Sequence, residues 1–339
     1  MGKKGFIIKA LAIFLFVVFA LAHSAKIAQA TGVVDSVTIT NPTDRSIAYV
    51  KPNNDVTVDF TVVINGAAGN YTGDCKIELK SGLTTVASTT AQTVFYLPSS
   101  GSWSFPLTDA LKVGSASDGT YDVKVSVTIV AGGSGSGSNT KTNSVVVDGT
   151  NPSVPTVITP SSSGIYLMGG QHYDITWATS TDANLDYYAM YLTEGAALPS
   201  LIATTSSSTV LYTWTVPMDN NTSSRITVRA YDLATNYSSD SSDNYFTIDS
   251  TAPTVDAGTI VGTITTSTSP GATASDNFTA TSSLVYAWTA SSTPPGGTLN
   301  FSATNILDPT LSGTVTGTYI ARLTVTDQAG NSAYDEVTF

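Results

Sequence analysis

GTYIARLTVTDQAGNSAYDEVTF, residues 317–339, reads as a hairpin: an alternating run, a polar turn bracketed by Asp327 and Asn331, and a second extended run. In ARLTVT (321–326), Ala321, Leu323 and Val325 share one side, and Arg322, Thr324 and Thr326 share the other. That is the period of a strand with one buried face. The same phrase occurs twice upstream. RITVRAYD (225–232) leads through LATN to NYFTIDSTAPTV (244–255), and GTYDVKVSVTIV (119–130) leads through a Gly/Ser turn to SVVVDGTNPSVP (144–155). A hairpin recurring at roughly 100-residue intervals predicts a tandem series of small β-sandwiches.

The rest of the chain agrees with an all-β reading. No window sustains helical apolar spacing, whereas VTVDFTVVI (56–64) alternates like the hairpins. DGTNPSVPTV (148–157) and DSTAPTV (249–255) interrupt the pattern. Proline has no N–H to give to a ladder, so both read as short, stiff connectors. The predicted divisions are 31–150, 151–251 and 252–339, and AGGSGSGSN (131–139) is expected to be a long hairpin loop. The third copy stops at Phe339, so the sequence is expected to be a segment of a longer surface protein.

Residues 1–30 have the form of an export signal: Lys3, Lys4 and Lys9, then the apolar run Ala10–Ala22, then Ala28-Gln29-Ala30 as a small-x-small cleavage site. The apolar run is shorter than a bilayer requires, so cleavage before Thr31 is expected, with no membrane span afterwards. Cleavage leaves 10 basic residues against 25 acidic ones, a net charge of −15. Such a surface repels nucleic acid and anionic lipid. The acids are 22 Asp and only 3 Glu, a bias that suits turns and equally suits turn-borne Ca²⁺ ligands. Cys75 is the only cysteine, which excludes an intrachain disulfide; in DCKIELKSG it reads as a small buried hydrophobe.

Tyr121 and Tyr319 each follow Gly-Thr at the start of a strand. A tyrosine there can fold its hydroxyl back onto nearby backbone, the tyrosine corner of Greek-key sandwiches. SLVYAWTA (283–290) with ILDPTLSGTVTGTYIARLTVTDQAGNSAYDEVTF (306–339) resembles the polycystic-kidney-disease (PKD) type of sandwich repeat. SSSGIYLMGGQHYDITWAT, YTWTVPMDNNTSSRITVRAYD and SDNYFTID, all within 161–249, resemble a Ser/Thr-rich cell-wall sandwich family. The first domain has a general immunoglobulin-like look, and the scarcity of cysteine is similar to bacterial or archaeal repeats. These resemblances imply three tandem immunoglobulin-like (Greek-key) β-sandwich domains after a signal peptide, the second also similar to fibronectin III. They also imply a non-catalytic role, secreted or at the cell surface, in adhesion or spacing. The alternative is a spacer or carbohydrate-binding region accompanying a secreted hydrolase.

The residues themselves argue against catalysis. His172 is the only histidine after residue 30, and no G-x-S-x-G elbow accompanies it. Asp182, Asp186 and Glu194 could be imagined as paired carboxylates, but among so many turn aspartates chance pairing is the better account. Trp177, Trp214 and Trp288 read as core. In Tyr187-Tyr188-Ala189-Met190-Tyr191 at least one tyrosine must face water, because strand neighbours point to opposite sides. Sequons at Asn70, Asn220, Asn221, Asn236, Asn277 and Asn300 arise readily in a Ser/Thr-rich chain.

Acidic turns are the remaining signal. Asp232 with Asn236, and Asp327 with Asn331, bracket equivalent turns whose ordinary reading is Asx capping of the backbone. The other reading is oxygen ligation of Ca²⁺. Asp148 and Asp249 open the two Asp-x-Thr-x-Pro connectors, where a cation could join neighbouring domains. The expected partners are proteins or polysaccharides of the cell envelope or extracellular medium, with Ca²⁺ as a candidate cofactor.

Overall fold

The computed structural model describes residues 33–42, 47–262 and 266–339. The export signal and its cleavage site lie outside these residues. The described chain is all-β, its one helical element a 3₁₀ turn at Thr281–Ser283. No helix in it is long and apolar enough to cross a membrane. Its buried side chains fall into three core clusters in series, spanning Val34 to Val147, Val157 to Ile248, and Ala257 to Val337.

In the first module, Val33–Asn41, Asp55–Gly66 and Gly101–Lys112 form one sheet. Ala48–Val50, Gly135–Val147, Gly119–Ala131, Gly69–Ser81 and Thr84–Leu97 form the other, in that spatial order. Val56, Val58, Phe60, Val62 and Ile64 alternate inward from one sheet, and Tyr121, Val123, Val125, Val127 and Ile129 alternate inward from the other. Each such side chain removed from water contributes about 1.5–3 kcal/mol before conformational entropy is set against it.

The Gly/Ser stretch 131–139 is not the expected long loop. Only residues 132–134 turn, and Gly135–Val147 is a continuous strand, with Gly135 opposite Ile129 and Gly137 opposite Val127. The first strand of the module packs over this segment: a Cβ on Gly137 would lie 2.7 Å from Val34 Cγ1. The glycines permit that close approach, which local composition does not reveal.

The second module pairs Thr156–Thr159, His172–Ala178 and Leu211–Thr215 in one sheet. Facing it are Tyr166–Met168, Phe246–Asp249, Asn221–Asp232, Leu185–Glu194 and Ser200–Ser206, with Tyr237–Ser241 added against Asn221–Asp232. Trp177 and Trp214 are core residues. The third module is built from Val285–Ser292, Ile320–Thr326 and Ser332–Thr338, together with the pairs Thr254–Asp256/Thr273–Ser275 and Leu299–Phe301/Leu311–Gly313. Trp288 and Leu323 stand opposite each other in its core.

Corner tyrosines are part of this framework. Tyr121 donates to the Ser117 carbonyl at 2.7 Å. Tyr319 donates to the Val315 carbonyl at 2.9 Å and accepts from the same residue's N–H at 3.1 Å. A third corner escapes the sequence reading: Tyr71 donates to the Ala67 carbonyl at 2.8 Å. Its signal is Gly-Asn-Tyr, for Gly69, Gly119 and Gly317 all hold φ between 152° and 155°, two residues ahead of their tyrosines. That backbone conformation strains any side chain with a Cβ.

Candidate functional site

Both module junctions gather three carboxylates. Asp148, Asp182 and Asp232 meet at the first, and Asp249, Asp276 and Asp327 meet at the second. In each set, one oxygen per residue lies within 4.8 Å of the others. The positions correspond. Asp148 and Asp249 follow or end the last strand of one module, Asp232 and Asp327 head the hairpin turn of the next, and Asp182 and Asp276 lie in an intervening segment.

Asx geometry explains why these segments hold their shape. Asp148 Oδ1 accepts from the Thr150 N–H at 3.1 Å, and Asp249 Oδ1 accepts from the Thr251 N–H at 3.0 Å. The Asp-x-Thr step is therefore a local turn at both junctions. Asp232 accepts from the Asn236 backbone and side-chain amides at 2.8 and 2.7 Å. Asp327 accepts from Gly330 N–H, Asn331 N–H and the Asn331 side-chain amide at 2.7–2.8 Å. Asn236 and Asn331 thus act through their amide nitrogens, and each has a second use. Asn236 donates across the junction to the Asp148 carbonyl at 2.8 Å, and Asn331 does the same to the Asp249 carbonyl at 3.0 Å.

Electrostatics set these clusters apart from surface turns. Asp148, Asp232, Asp249 and Asp327 are buried, Asp249 completely. Burial raises the Asp232 carboxyl above the ordinary carboxylate range, and the charges of Asp148 and Asp182 add to it. Burial likewise raises Asp249, with Asp276 and Asp327 adding. Like charges at such separations repel by on the order of 3–4 kcal/mol per pair at an effective dielectric near 20. A positive ion between them would reverse that sign, and the donors present are all hard oxygens.

The junctions differ in one respect. At the first, the Asn184 side chain donates to Asp148 Oδ2 at 2.7 Å. At the second, Asn277 donates at 3.3 Å to Asp249 Oδ1, the oxygen already bonded to Thr251. Asp249 Oδ2 and Asp276 Oδ1 are buried without a hydrogen-bond partner. Asp182 and Asp276 belong to the clusters although the sequence reading does not assign them there. Their faint signal is an aspartate followed within two residues by asparagine, in DAN and DNF.

The other candidates disperse. His172 is exposed at a strand start, its Nδ1 3.3 Å from Thr215 Oγ1. Glu194 lies under the influence of Asp219, and burial followed by that charge raises its carboxyl. Tyr188 is buried and its hydroxyl accepts from the Ser180 N–H at 2.7 Å, while Tyr187 and Tyr191 are half-buried on the opposite face. There Tyr187 stacks on Tyr231 with ring centroids 4.8 Å apart, and Arg229 lies 4.4 Å over Tyr191 and 5.1 Å over Tyr237.

Comparison with known proteins bears on the modules. Residues 257–339 match a family model described as a PKD domain, so the third module is a PKD-like sandwich. Among solved structures, the chain is similar to the FN1–FN3 domains of chicken CNTN1 at 14% identity, covering 58% of this chain and 68% of that one, with a TM-score of 0.32. It is also similar to the complex of Dpr2 Ig1–Ig2 with DIP-Theta Ig1–Ig3 at 9% identity, covering 89% and 98%, with a TM-score of 0.25. No curated protein matches the chain in sequence.

Proposed function

We propose that the chain is a non-catalytic, exported array whose sandwiches space or present contact surfaces at the cell surface. Its partners would be proteins or polysaccharides of the envelope or extracellular medium. The observation that carries this reading is the series of three separate cores joined by short steps, each step gripped by an asparagine of the following module. Modules in series supply reach, and their free edges and end loops supply contact area. The acidic balance suits a surface that stays soluble and avoids nucleic acid. The test is protease accessibility of the protein on intact cells, combined with small-angle scattering of the purified chain. Accessible protein with a maximum dimension near that of three sandwiches end to end is expected. Protein protected inside intact cells, or a particle no longer than one module, would refute the proposal.

A further inference from the structure

We propose that Asp249, Asp276 and Asp327 form a Ca²⁺ site that locks the second and third modules together. The inference is independent of whether the array adheres or only spaces. Asp249 comes from the last strand of the second module; Asp276 and Asp327 come from the third. Their carboxylate oxygens converge within 4.8 Å of one another. A cation about 2.4 Å from each ligand holds oxygens at most about 4.8 Å apart, so this separation is within Ca²⁺ reach, whereas Mg²⁺ needs a tighter octahedron.

A cluster of acids could be no more than a set of turns, but the hydrogen-bond accounting here leaves a remainder. Asp249 Oδ1 is occupied by Thr251 and Asn277, Asp276 Oδ2 by the Phe278 and Thr279 N–H groups, and Asp327 by the Gly330–Asn331 turn. Asp249 Oδ2 and Asp276 Oδ1 have no donor, and Asp249 has no exposed surface through which water could supply one. Buried carboxylate oxygens without partners are costly unless something positive meets them. The charges acting on Asp249 are those of Asp276 and Asp327, both negative. No histidine or cysteine belongs to the group, so its chemistry is that of a hard, oxygen-seeking ion.

The first junction supplies an internal control. It repeats the layout, but Asn184 donates to Asp148 Oδ2 and Asn236 donates to both oxygens of Asp232, leaving none of its carboxylate oxygens buried without a partner. One ion per chain is therefore expected, at the second junction.

The experiment is calorimetric titration of the chelator-treated, purified chain with CaCl₂ and separately with MgCl₂, alongside thermal unfolding in each. Expected are one Ca²⁺ per chain with Kd at or below about 10⁻³ M, the range of extracellular modules, and a melting temperature that climbs with free Ca²⁺. The Mg²⁺ response should be weaker. Asp276→Asn, in a half-buried segment, should weaken Ca²⁺ binding by about tenfold or more, since loss of even a supporting partner costs a metal site that much. Asp182→Asn at the first junction should leave binding unchanged. Urea unfolding of both variants in chelator verifies that they fold. No Ca²⁺ heat and no melting shift at about 10 mM, ten times the weak limit, would overturn the proposal. So would an equal response to Mg²⁺, or Ca²⁺ binding lost with Asp182→Asn and kept with Asp276→Asn.

Discussion

Replacing Tyr319 by Phe removes one oxygen and leaves the ring stacked on Phe339, whose centroid is 5.6 Å away. The lost hydroxyl makes two hydrogen bonds, both to the Val315 peptide. Each is worth about 0.5–1.5 kcal/mol net. Val315 is 40% exposed, so water can partly replace them. The expected cost is therefore about 1–2 kcal/mol, toward the lower half of the two-bond sum. Tyr121→Phe should cost about 1 kcal/mol, because it loses a single bond to backbone. The four tryptophans allow the loss to be located: Trp103 lies in the first module, Trp177 and Trp214 in the second, and Trp288 in the third. Fluorotryptophan-labelled protein, titrated with urea and followed by fluorine NMR, reports each module separately. With a slope of about 2 kcal/mol/M, Tyr319→Phe should lower the Trp288 midpoint by about 0.5–1 M. Trp177 and Trp214 should not move. An unchanged Trp288 midpoint, or an equal shift at all four tryptophans, would refute the assignment of this hydroxyl to the third module's corner.

Gly137→Val should destabilise the first module by about 1–3 kcal/mol through overpacking against Val34, read as a lower Trp103 midpoint. The Cys75 thiol is buried and its pKa is raised chiefly by that burial, so it should react with a disulfide reagent only after urea unfolds the module; rapid reaction of native protein would contradict this. Glu78 is held below the usual carboxylate range first by the Lys76 ammonium at 2.8 Å and then by Thr85. A depressed folded value lends stability above the unfolded value and loses it as pH falls through the folded one. The stability gap between native protein and Glu78→Gln, under about 1 kcal/mol for a partly exposed pair, should therefore shrink from pH 7 to pH 3 in urea titrations.

Alternation makes the strands legible, because a period of two in Val56–Ile64 or Tyr121–Ile129 has one reading once helices are excluded. Two features resist that reading for one reason. Gly135 and Gly137 look like a loop until the strand carrying Val34 is laid across them, and that packing joins residues a hundred positions apart. Asp182 and Asp276 look like ordinary turn residues until folding brings them to Asp148 and Asp249. The repeated Asp-x-Thr-x-Pro and Asp-x-x-x-Asn phrases mark two corners of each cluster; the third has no phrase of comparable length. Tyr71 differs, since its Gly-Asn-Tyr is local and readable by analogy with Gly-Thr-Tyr.

Two strand pairs have a mechanical consequence. In the first module Ala48–Val50 runs parallel to the last strand, Ala48 beside Val145 and Val50 beside Val147. In the second, Tyr166–Met168 runs parallel to Phe246–Asp249. Traction between the ends of either module pulls these neighbours past each other along their length. Their hydrogen bonds are then loaded in shear and must yield together instead of unzipping singly. In the third module the described closing strand, Ser332–Thr338, pairs antiparallel with Ile320–Thr326. Under tension the array is therefore graded, with two shear-braced modules ahead of one that lacks that brace among the described residues.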